Sequence, residues 1–428
     1  MKDRMYPFPE NTQVAPADMP GVTISVGAGR LHFIEVTNAL CKCGVSVSLV
    51  MGIVPSPKFD WLYNAAGRLL GRRELAKRLH VRTQGCQLPV SRVHGCGLAE
   101  VLVYAAMVFS RLHLVPNGRA QALTWALFGR LSRRYLGENH IFHVRSGAGQ
   151  GGAIKAARAR GMKVVVDHSI AHPGYIERAM ARPGHTPTIS ASDPFWQLVL
   201  KDCAEADVLL VNSEFVRWTF IEEGFPAERI QVAYLGVRED FFSLKNDYAI
   251  KSPPRLLFTG AFCFRKGADL ILQALGYLER LGIICELHVA GDASECRSLA
   301  DKYQGASRII FYGPLPQAEL KRLLAESDLY VFPTLAEGCA KSAMEAMASG
   351  LPVVTTQACG LPGDPGAHYI QIAGHSPEAL AAVLGEILRQ PDRRERVGRS
   401  GAALVREHYR WEDYGHNVAA LYTELISI

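Results

Sequence analysis

The sequence predicts an α/β protein built from two facing Rossmann-like domains, each with a doubly wound parallel sheet. A chain of 428 residues is too long for one compact core, and its length suits two domains of ordinary size. Short β-branched apolar runs alternate with helix-length segments in both halves, which is typical of parallel strands joined by crossover helices. A polar stretch ending in a double proline, SLKNDYAIKSPP at 243–254, divides the two series.

The first series predicts an N-terminal domain over residues 1–245. Two of its helix starts are marked by a preferred N-cap residue, Asp193 before Pro194 and Ser213 before Glu214. The segment 55–135 fits the strand–helix rhythm poorly, and we interpret it as an elaboration of this domain. The predicted strands are Val22–Val26, Val45–Met51, Ile141–Val144, Lys163–Asp167, Val208–Asn212 and Ile230–Tyr234.

The second series predicts a C-terminal domain over residues 255–408, followed by a last amphipathic helix over 409–428. Apolar residues recur at i, i+4, i+7 and i+11 from Tyr414, so one side of that helix is apolar. We expect this helix to cross back onto the first domain. The predicted strands are Arg255–Thr259, Glu286–Ala290, Ile309–Tyr312, Leu329–Phe332 and Val353–Thr355.

Composition favours a globular enzyme of the cytoplasm. Hydrophobic residues make up 48% and charged residues 21%, a balance that disordered chains do not reach. The first residues lack the apolar run of a secretory signal, and no stretch has the ~20 apolar residues of a membrane-spanning helix. The ten cysteines contain no Cys-x-x-Cys pair, so we expect reduced and mostly buried thiols.

The most informative segment is EGCAKSAMEAMASGLPVVTT at 337–356, which follows an apolar strand. Glu337 and Glu345 stand eight positions apart, the first on a loop and the second on the helix that Ser342 begins. The amides of Gly338, Cys339, Ala340, Lys341 and Ser342, together with the helix dipole, suit a diphosphate. Glu345 is then available for ribose hydroxyls and Glu337 for sugar hydroxyls.

This segment resembles the donor motif of the family 4 retaining glycosyltransferases of the GT-B fold, also described as glycosyl transferases group 1. The resemblance rests on the E-x7-E spacing and on the run EAMASGLPVV, and it covers residues 256–356 most closely. It implies that the C-terminal domain binds a nucleotide-sugar and that the N-terminal domain faces the acceptor. Two surface glutamates beside an ordinary helix would be the alternative explanation.

A second signal is FTGAFCFRKGADLIL at 258–272, where a strand ends in a glycine loop that leads to a helix. Arg265 and Lys266 are placed to neutralise a diphosphate, which a metal-independent transferase must do with side chains. The family often has an arginine directly after the glycine that ends this strand, and Ala261 occupies that position here. Arg265, next to Lys266, compensates for it in our interpretation.

The N-terminal domain offers weaker signals. Gly27 and Gly29 lie in a turn after the first strand, where glycines let the backbone approach a ligand, although any tight turn prefers glycine. The strand KVVVD is followed by HSIAHP, which contains His168 and His172. The family often carries a histidine here, near the reacting sugar carbon; we prefer His172, and a loop network with Asp167 is the alternative. His94, His113 and His143 show no metal-ligand spacing.

The resemblance implies a retaining hexosyltransferase that uses a nucleotide-diphosphate-sugar, requires no metal or cofactor, and acts in surface polysaccharide or glycoconjugate assembly. Its acceptor would be a saccharide or a lipid-linked glycan. In the favoured family mechanism the departing diphosphate takes the acceptor proton, so positioning and charge stabilisation dominate. The alternatives are a nucleotide-sugar epimerase or hydrolase, or a catalytically silent nucleotide-sugar-binding protein.

The net charge of +6 is concentrated in one part of the chain. Between Lys58 and Arg134 there are 13 lysine and arginine residues and three acidic ones. Together with the apolar run from Leu98 to Phe109, this composition suits an anionic membrane surface, and a solvated basic face beside a buried helix is the alternative. Aromatic residues do not alternate with the arginines, so a nucleic acid is not the expected partner.

Overall fold

The structure is a computed structural model that describes residues 19–27, 32–69, 75–111, 117–181 and 189–427. In these residues the chain forms two parallel sheets with helices packed around them, so the α/β prediction is confirmed. The first sheet has the strand order β3-β2-β1-β4-β5-β6-β7, and every neighbouring pair is parallel. Its strands are β1 (Val22–Ser25), β2 (Val47–Met51), β3 (Val93–Gly95), β4 (Ile141–Arg145), β5 (Lys163–His168), β6 (Val208–Val211) and β7 (Ile230–Val232).

The helices of the first domain connect these strands. Asp193 accepts a hydrogen bond from the Phe195 N–H, and Ser213 accepts one from the Val216 N–H, so both predicted N-caps are confirmed. The helices are α1 (Phe33–Lys42), α2 (Asp60–Leu69), α3 (Leu75–His80), α4 (Gly97–Arg111), α5 (Asn117–Ser132), α6 (Ala153–Arg158), α7 (Pro173–Met180), α8 (Pro194–Glu205) and α9 (Glu214–Glu222).

The second sheet has the order β10-β9-β8-β11-β12-β13 and is also parallel. Its strands are β8 (Arg255–Thr259), β9 (Glu286–Ala290), β10 (Arg308–Gly313), β11 (Leu329–Phe332), β12 (Val353–Thr355) and β13 (Ile370–Gln371). The helices around it are α10 (Ala268–Arg280), α11 (Arg297–Ala300), α12 (Gln317–Glu326), α13 (Lys341–Ser349), α14 (Pro377–Leu388) and α15 (Pro391–His408).

The last helix, α16 (Trp411–Ser427), returns to the first domain, as the sequence predicts. Its apolar side, including Tyr414, Val418 and Leu421, is buried in the same core as strands β1 and β2. It packs along α1, and Lys42 of α1 lies 3.3 Å from Glu412.

The two domains also meet directly at the carboxyl ends of their strands. Ala171, Ile176 and Phe215 of the first domain form one buried cluster with Leu335 and Ala336 of the second. In parallel sheets ligands bind at this end of the strands, beside helix N-termini. The domain contact therefore borders the region where a ligand site is expected. Among the described residues, no helix is both long and apolar enough to cross a membrane.

Candidate functional site

A short 3-10 helix after β8 carries two cationic side chains to the domain junction. This helix spans Phe264–Lys266 and contains Arg265 and Lys266. It ends at Gly267, whose φ of +75° favours glycine. A Cβ atom on Gly267 would lie 2.2 Å from the carbonyl oxygen of Pro333, so glycine also permits the loop to pack against the end of β11.

The two cations share one carboxylate. The Arg265 guanidinium donates from Nη1 to Glu337 Oε1 at 2.8 Å and to the Ala336 carbonyl oxygen at 2.5 Å. Lys266 Nζ lies 3.3 Å from the same Glu337 oxygen. The side chains of Arg265, Lys266 and Glu337 are 24%, 18% and 15% exposed, respectively. The structure thus brings together three of the predicted site residues, in a position that solvent still reaches.

The loop that begins at Glu337 is held between the two domains. The Ala171 N–H donates to the Glu337 carbonyl oxygen at 3.1 Å, and the Ser213 hydroxyl donates to the Gly338 carbonyl oxygen at 2.8 Å. A Cβ atom on Gly338 would lie 2.1 Å from the Ser169 carbonyl oxygen. Glycine at this position therefore permits close contact between the domains.

The expectation that all amides from Gly338 to Ser342 are available for a diphosphate is wrong at one position. The Ala340 N–H donates to the Cys359 carbonyl oxygen at 3.1 Å, because the loop runs beside the segment that follows β12. The side chains of Cys339 and Ala340 are buried in the core of the second domain. These two residues shape the loop from inside.

Helix α13 begins at Lys341 and carries the second glutamate. The Tyr330 hydroxyl donates to the Ser342 hydroxyl at 2.9 Å, which fixes the first turn against β11. The Glu345 side chain is only 15% exposed, and the distance from its Oε1 to Lys341 Nζ is 3.9 Å. Burial raises the pKa of Glu345, while the charges of Lys341 and Arg238 lower it less. Its carboxylate is thus mostly buried, with Lys341 as a counter-ion at the long distance of 3.9 Å.

On the first domain, His168 ends β5, and its ring nitrogens differ in their contacts. Nδ1 lies 2.8 Å from the Ser146 hydroxyl oxygen. Nε2 is buried and has no hydrogen-bond partner within the described residues. Burial, followed by the charge of His172, lowers the pKa of His168 to about 4, so the ring is neutral at physiological pH. The next residue, Ser169, is the one that contacts Gly338.

His172, the histidine that the sequence favoured, is the N-cap of α7. Its Nδ1 accepts a hydrogen bond from the Gly174 N–H at 3.1 Å. Its ring packs edge-on against Phe220, with 4.9 Å between the ring centroids. Burial also lowers the pKa of His172. The capping bond gives His172 a structural role that His168 does not have.

The glycine turn after β1 is described only in part, because Gly29 lies outside the described residues. Gly27 has a φ of +76°, and a Cβ atom there would lie 2.5 Å from the Trp125 ring. The Trp125 ring in turn lies 4.8 Å from the Arg145 guanidinium carbon. Packing against Trp125 accounts for Gly27 without a ligand.

Behind His168 lies a buried charge network. Asp167 Oδ2 is 3.5 Å from His32 Nε2 and 3.4 Å from His143 Nε2. Burial acts to raise the pKa of Asp167, but the two histidines outweigh it, and the pKa of this carboxyl is lowered. The Nδ1 atom of His143 lies 2.5 Å from the Tyr422 hydroxyl oxygen. The network thus connects α16 to the strand that carries His168.

Arg265 and Lys266 bring positive charge to the junction. In the part of the chain that the structure describes, no group of three or more histidine, cysteine, aspartate or glutamate side chains is arranged to hold a metal ion. Ala261, where the family often has an arginine, is exposed in the loop before these two residues.

Comparison with known families assigns the domain that carries this cluster. Residues 253–390 match the family described as glycosyl transferases group 1. The matched range includes Arg265, Lys266, Glu337 and Glu345. The second domain is therefore similar to the glycosyl transferases group 1 over these residues.

Curated relatives are glycosyltransferases as well. The chain is 32% identical over 170 residues to the amylovoran biosynthesis glycosyltransferase AmsK of Erwinia amylovora, which covers 37% of this chain and 41% of the relative. It is 28% identical over 247 residues to the D-inositol 3-phosphate glycosyltransferase of Corynebacterium glutamicum, which covers 52% and 58%. The matches thus span about half the length of these relatives.

Solved structures extend the likeness to the whole fold. Sucrose-phosphate synthase from Thermosynechococcus elongatus superimposes with a TM-score of 0.63 at 16% identity, covering 95% of this chain and 99% of that one. HepE of Anabaena, in complex with UDP-glucose, gives a TM-score of 0.59 at 14% identity with coverage of 95% and 99%. Both domains of this chain, with the returning helix, therefore have the GT-B glycosyltransferase fold.

Some residues of this GT-B junction were missed at the sequence level. The sequence indicated only that His143 lacks metal-ligand spacing, and it gave no prediction for His32 or Arg145. His143 and Asp167 lie on neighbouring strands, two register positions apart, because His143 is paired with Val165 and Arg145 with Asp167. Polar residues near the carboxyl ends of adjacent apolar strands were the signal that could have pointed to them.

Proposed function

We propose that this chain is a retaining glycosyltransferase that moves a hexose-type sugar from a nucleotide-diphosphate-sugar to a saccharide or lipid-linked acceptor. It uses no metal ion and no cofactor other than the donor. One observation carries the proposal: Arg265 and Lys266 converge on Glu337 at the domain junction, inside a glycosyltransferase domain.

The cluster suggests how the donor is held. Without a ligand, Glu337 is the shared counter-ion of Arg265 and Lys266. A donor diphosphate is a stronger partner for both cations, since it offers several charged oxygens to the same donors. Its arrival would release the Glu337 carboxylate to accept hydrogen bonds from hydroxyls of the transferring sugar.

Helix α13 supplies the other half of the donor site in this proposal. The amides at its start have no intrahelical partner, and the helix dipole favours negative charge there. The Glu345 carboxylate, buried and 3.9 Å from its nearest cation, Lys341, would accept hydrogen bonds from the two ribose hydroxyls. Burial removes water from the Glu345 carboxylate, and the ribose hydroxyls of the donor would take the place of that water.

We assign the first-domain contact with the sugar to His168 instead of His172. The Nδ1 atom of His172 is occupied by its capping bond, whereas His168 Nε2 has no partner within the described residues. His168 also precedes Ser169, which touches the donor loop at Gly338. With a pKa of about 4, His168 would act as a neutral hydrogen-bonding group.

The reaction then needs no dedicated base. The bond from the anomeric carbon to the diphosphate oxygen breaks while the acceptor oxygen bonds to the same face of that carbon. The acceptor proton passes to the departing diphosphate, whose added charge Arg265 and Lys266 stabilise. Retention of configuration follows because entry and departure occur on one face.

The relatives suggest the biological setting. AmsK is named for amylovoran biosynthesis, and HepE was crystallised with UDP-glucose. By analogy, we propose that this chain acts in surface polysaccharide or glycoconjugate assembly, in the cytoplasm and peripherally at the inner face of a membrane. UDP is then the first nucleotide to examine.

The test is calorimetric titration with UDP, GDP and ADP, with and without EDTA, followed by turnover of the matching nucleotide-sugar. We expect one nucleotide to bind equally well with EDTA, and Arg265→Ala to weaken it about 10-fold or more, since a charge-assisted contact contributes about 1.5–3 kcal/mol. Arg322→Ala is the matched control, because Arg322 is an exposed arginine of α12 in the same domain.

Other outcomes point elsewhere. Donor cleavage that yields free sugar at the same rate with and without any acceptor would favour the hydrolase. Tight binding with no turnover would favour a silent nucleotide-sugar-binding protein. If none of the nucleotides binds, the donor site proposed here is wrong.

A further inference from the structure

Helix α4 has apolar residues on its exposed side as well as on its buried side, where Ala99 and Val103 join the core of the first domain. Leu98, Val101 and Leu102 are 63%, 54% and 39% exposed, and their i, i+3, i+4 spacing puts them on one side of the helix. The opposite side is buried and carries Glu100, which is 1% exposed. Glu100 pairs with Arg82 and accepts a hydrogen bond from the Ile53 N–H at 2.6 Å.

Helix α5, which packs along α4, combines an apolar residue with arginines on its exposed side. Leu123 is 73% exposed. Arg119 and Arg130 are also exposed, and their spacing from Leu123, four and seven residues, places all three on one side of α5. Neither arginine makes a salt bridge in the part of the chain that the structure describes.

Helix α2 adds a third exposed apolar surface nearby. Trp61 is 72% exposed and Leu62 is 46% exposed. Asp60, at the start of α2, is 2.7 Å from His80 Nε2 at the end of α3. Two residues further on, Arg82 pairs with Glu100 of α4, so α3 connects the starts of α2 and α4. We call the exposed set the apolar face; it consists of Trp61, Leu62, Leu98, Val101, Leu102 and Leu123.

The apolar face is not a random sample of the surface. Of the 15 large hydrophobic side chains recorded as exposed among the described residues, nine lie between Phe59 and Leu123. Single exposed apolar residues need no explanation, but a concentration of them marks an interaction surface. The same stretch carries the basic surplus of the chain, with 13 lysine and arginine residues against three acidic ones between Lys58 and Arg134.

The charge determines which partner fits. A second copy of the chain would bring two equally basic surfaces together, and a short-range apolar contact would have to overcome that repulsion. An anionic bilayer satisfies both features, because arginines attract its headgroups while Trp and Leu side chains enter the interfacial layer. Insertion would be shallow, since α4 has only 15 residues against the ~20 of a spanning helix.

We propose that the apolar face lies in the interfacial layer of an anionic phospholipid bilayer, with Arg119 and Arg130 at the level of the headgroups. This inference names the membrane contact surface of the proposed function and rests on the peripheral location given there. Docked in this way, the first domain would receive a lipid-linked acceptor from the membrane without extracting its lipid.

The test is sedimentation of the full chain with vesicles of pure phosphatidylcholine and with vesicles that contain phosphatidylglycerol. We expect binding to the anionic vesicles only. The double variant V101S/L102S should lower the partition coefficient at least 10-fold, and R119Q/R130Q should lower it and weaken its dependence on salt. The matched control L281S/I284S changes two side chains of the second domain that are 49% and 50% exposed, and it should bind as the unchanged protein does.

Several results would overturn the proposal. The first is that the protein does not bind to anionic vesicles, and the second is that the control variant L281S/I284S loses as much vesicle binding as V101S/L102S. The third is that light scattering shows a dimer that V101S/L102S abolishes. All the substituted side chains are exposed, and circular dichroism of each variant verifies the fold. Nucleotide titration of the same preparations separates this proposal from the donor site, because a failure at the membrane leaves nucleotide binding unchanged.

Discussion

Replacing Glu345 by glutamine should change stability and ligand binding in opposite directions. The Glu345 carboxylate is 15% exposed and its nearest cation, Lys341, is 3.9 Å away. A mostly buried charge with so distant a partner destabilises the folded chain. A loss of folding stability of this kind is characteristic of a binding residue whose partner is the ligand.

The structure sets the size of both effects. Glutamine keeps the shape and removes the charge, so we expect the free energy of unfolding at pH 7 to rise by about 1 kcal/mol. Hydrogen bonds to a charged group contribute about 1.5–3 kcal/mol. Loss of the charge opposite two ribose hydroxyls should therefore cost about 2 kcal/mol of binding, about 30-fold in Kd.

The sign of the pH dependence provides a further check. Burial raises the pKa of Glu345 in the folded state, so the protonated carboxyl is favoured there. The destabilisation by the buried Glu345 charge is therefore absent at pH values below the pKa of Glu345 in the unfolded chain. It develops as the pH rises through the pKa of Glu345 in the folded chain. The stability gain of Glu345→Gln should accordingly be larger at pH 7 than at pH 4.

The assay is urea unfolding at both pH values together with calorimetric nucleotide titration. Glu395→Gln is the matched control, because Glu395 is an exposed carboxylate of the same domain that pairs with Arg399, and it should alter neither quantity appreciably. If Glu345→Gln lowers stability and leaves nucleotide affinity unchanged, Glu345 is a structural residue and the donor-site reasoning is refuted.

Three further predictions concern the first domain. Burial lowers the pKa of His168 to about 4, so below pH ~6.5 the unfolded chain binds more protons than the folded one, and the free energy of unfolding decreases as the pH is lowered. His168→Gln should remove about 2 kcal/mol of the decrease between pH 7 and pH 5. An unchanged pH profile in the variant would contradict this. Tyr422→Phe removes the 2.5 Å contact with His143 Nδ1 and should lower the free energy of unfolding by about 1–3 kcal/mol. The control Tyr277→Phe, whose hydroxyl donates to Glu378 in a position that water reaches, should lower it less. Asp202→Ala removes the acceptor of two glycine N–H groups, which lie 2.6 and 2.8 Å from Asp202 Oδ2. The free energy of unfolding, measured in urea, should fall by about 2–4 kcal/mol. A much smaller loss would show that water replaces the carboxylate as acceptor.

The fold could be predicted wherever a strand is long and apolar. Strands Arg255–Thr259, Glu286–Ala290, Leu329–Phe332 and Val353–Thr355 have the predicted bounds, because three or four consecutive buried residues between turn signals leave little freedom in their placement. Two edge strands, Val93–Gly95 and Ile370–Gln371, were missed. Neither is a run of buried apolar residues, because all of Val93–Gly95 is partly exposed and Gln371 is exposed. Pairing with a neighbouring strand, which the sequence does not reveal, defines both.

The site could be predicted as far as it depends on local chain geometry. Arg265, Lys266 and Glu337 meet because neighbouring parallel strands, β8 and β11, end at the same edge of the sheet. The occupied Ala340 amide could not be foreseen, since its acceptor, Cys359, belongs to a loop beyond the next strand. The proposed choice of His168 over His172 likewise rests on long-range packing, since the two histidines lie only four positions apart in the sequence.

Helix α4 shows why periodicity alone could not resolve the basic segment. The run from Leu98 to Phe109 has enough apolar residues for a core helix, and the sequence predicts an apolar side without saying what covers it. The structure buries Glu100 and exposes Val101, because Arg82 and the Ile53 amide supply the partners that a buried carboxylate needs. A glutamate inside an apolar run had indicated only that the helix does not span a membrane. With that glutamate paired on the inside beside Ala99 and Val103, the apolar side chains of Leu98, Val101 and Leu102 face outward, and the proposed bilayer contact would remove them from water.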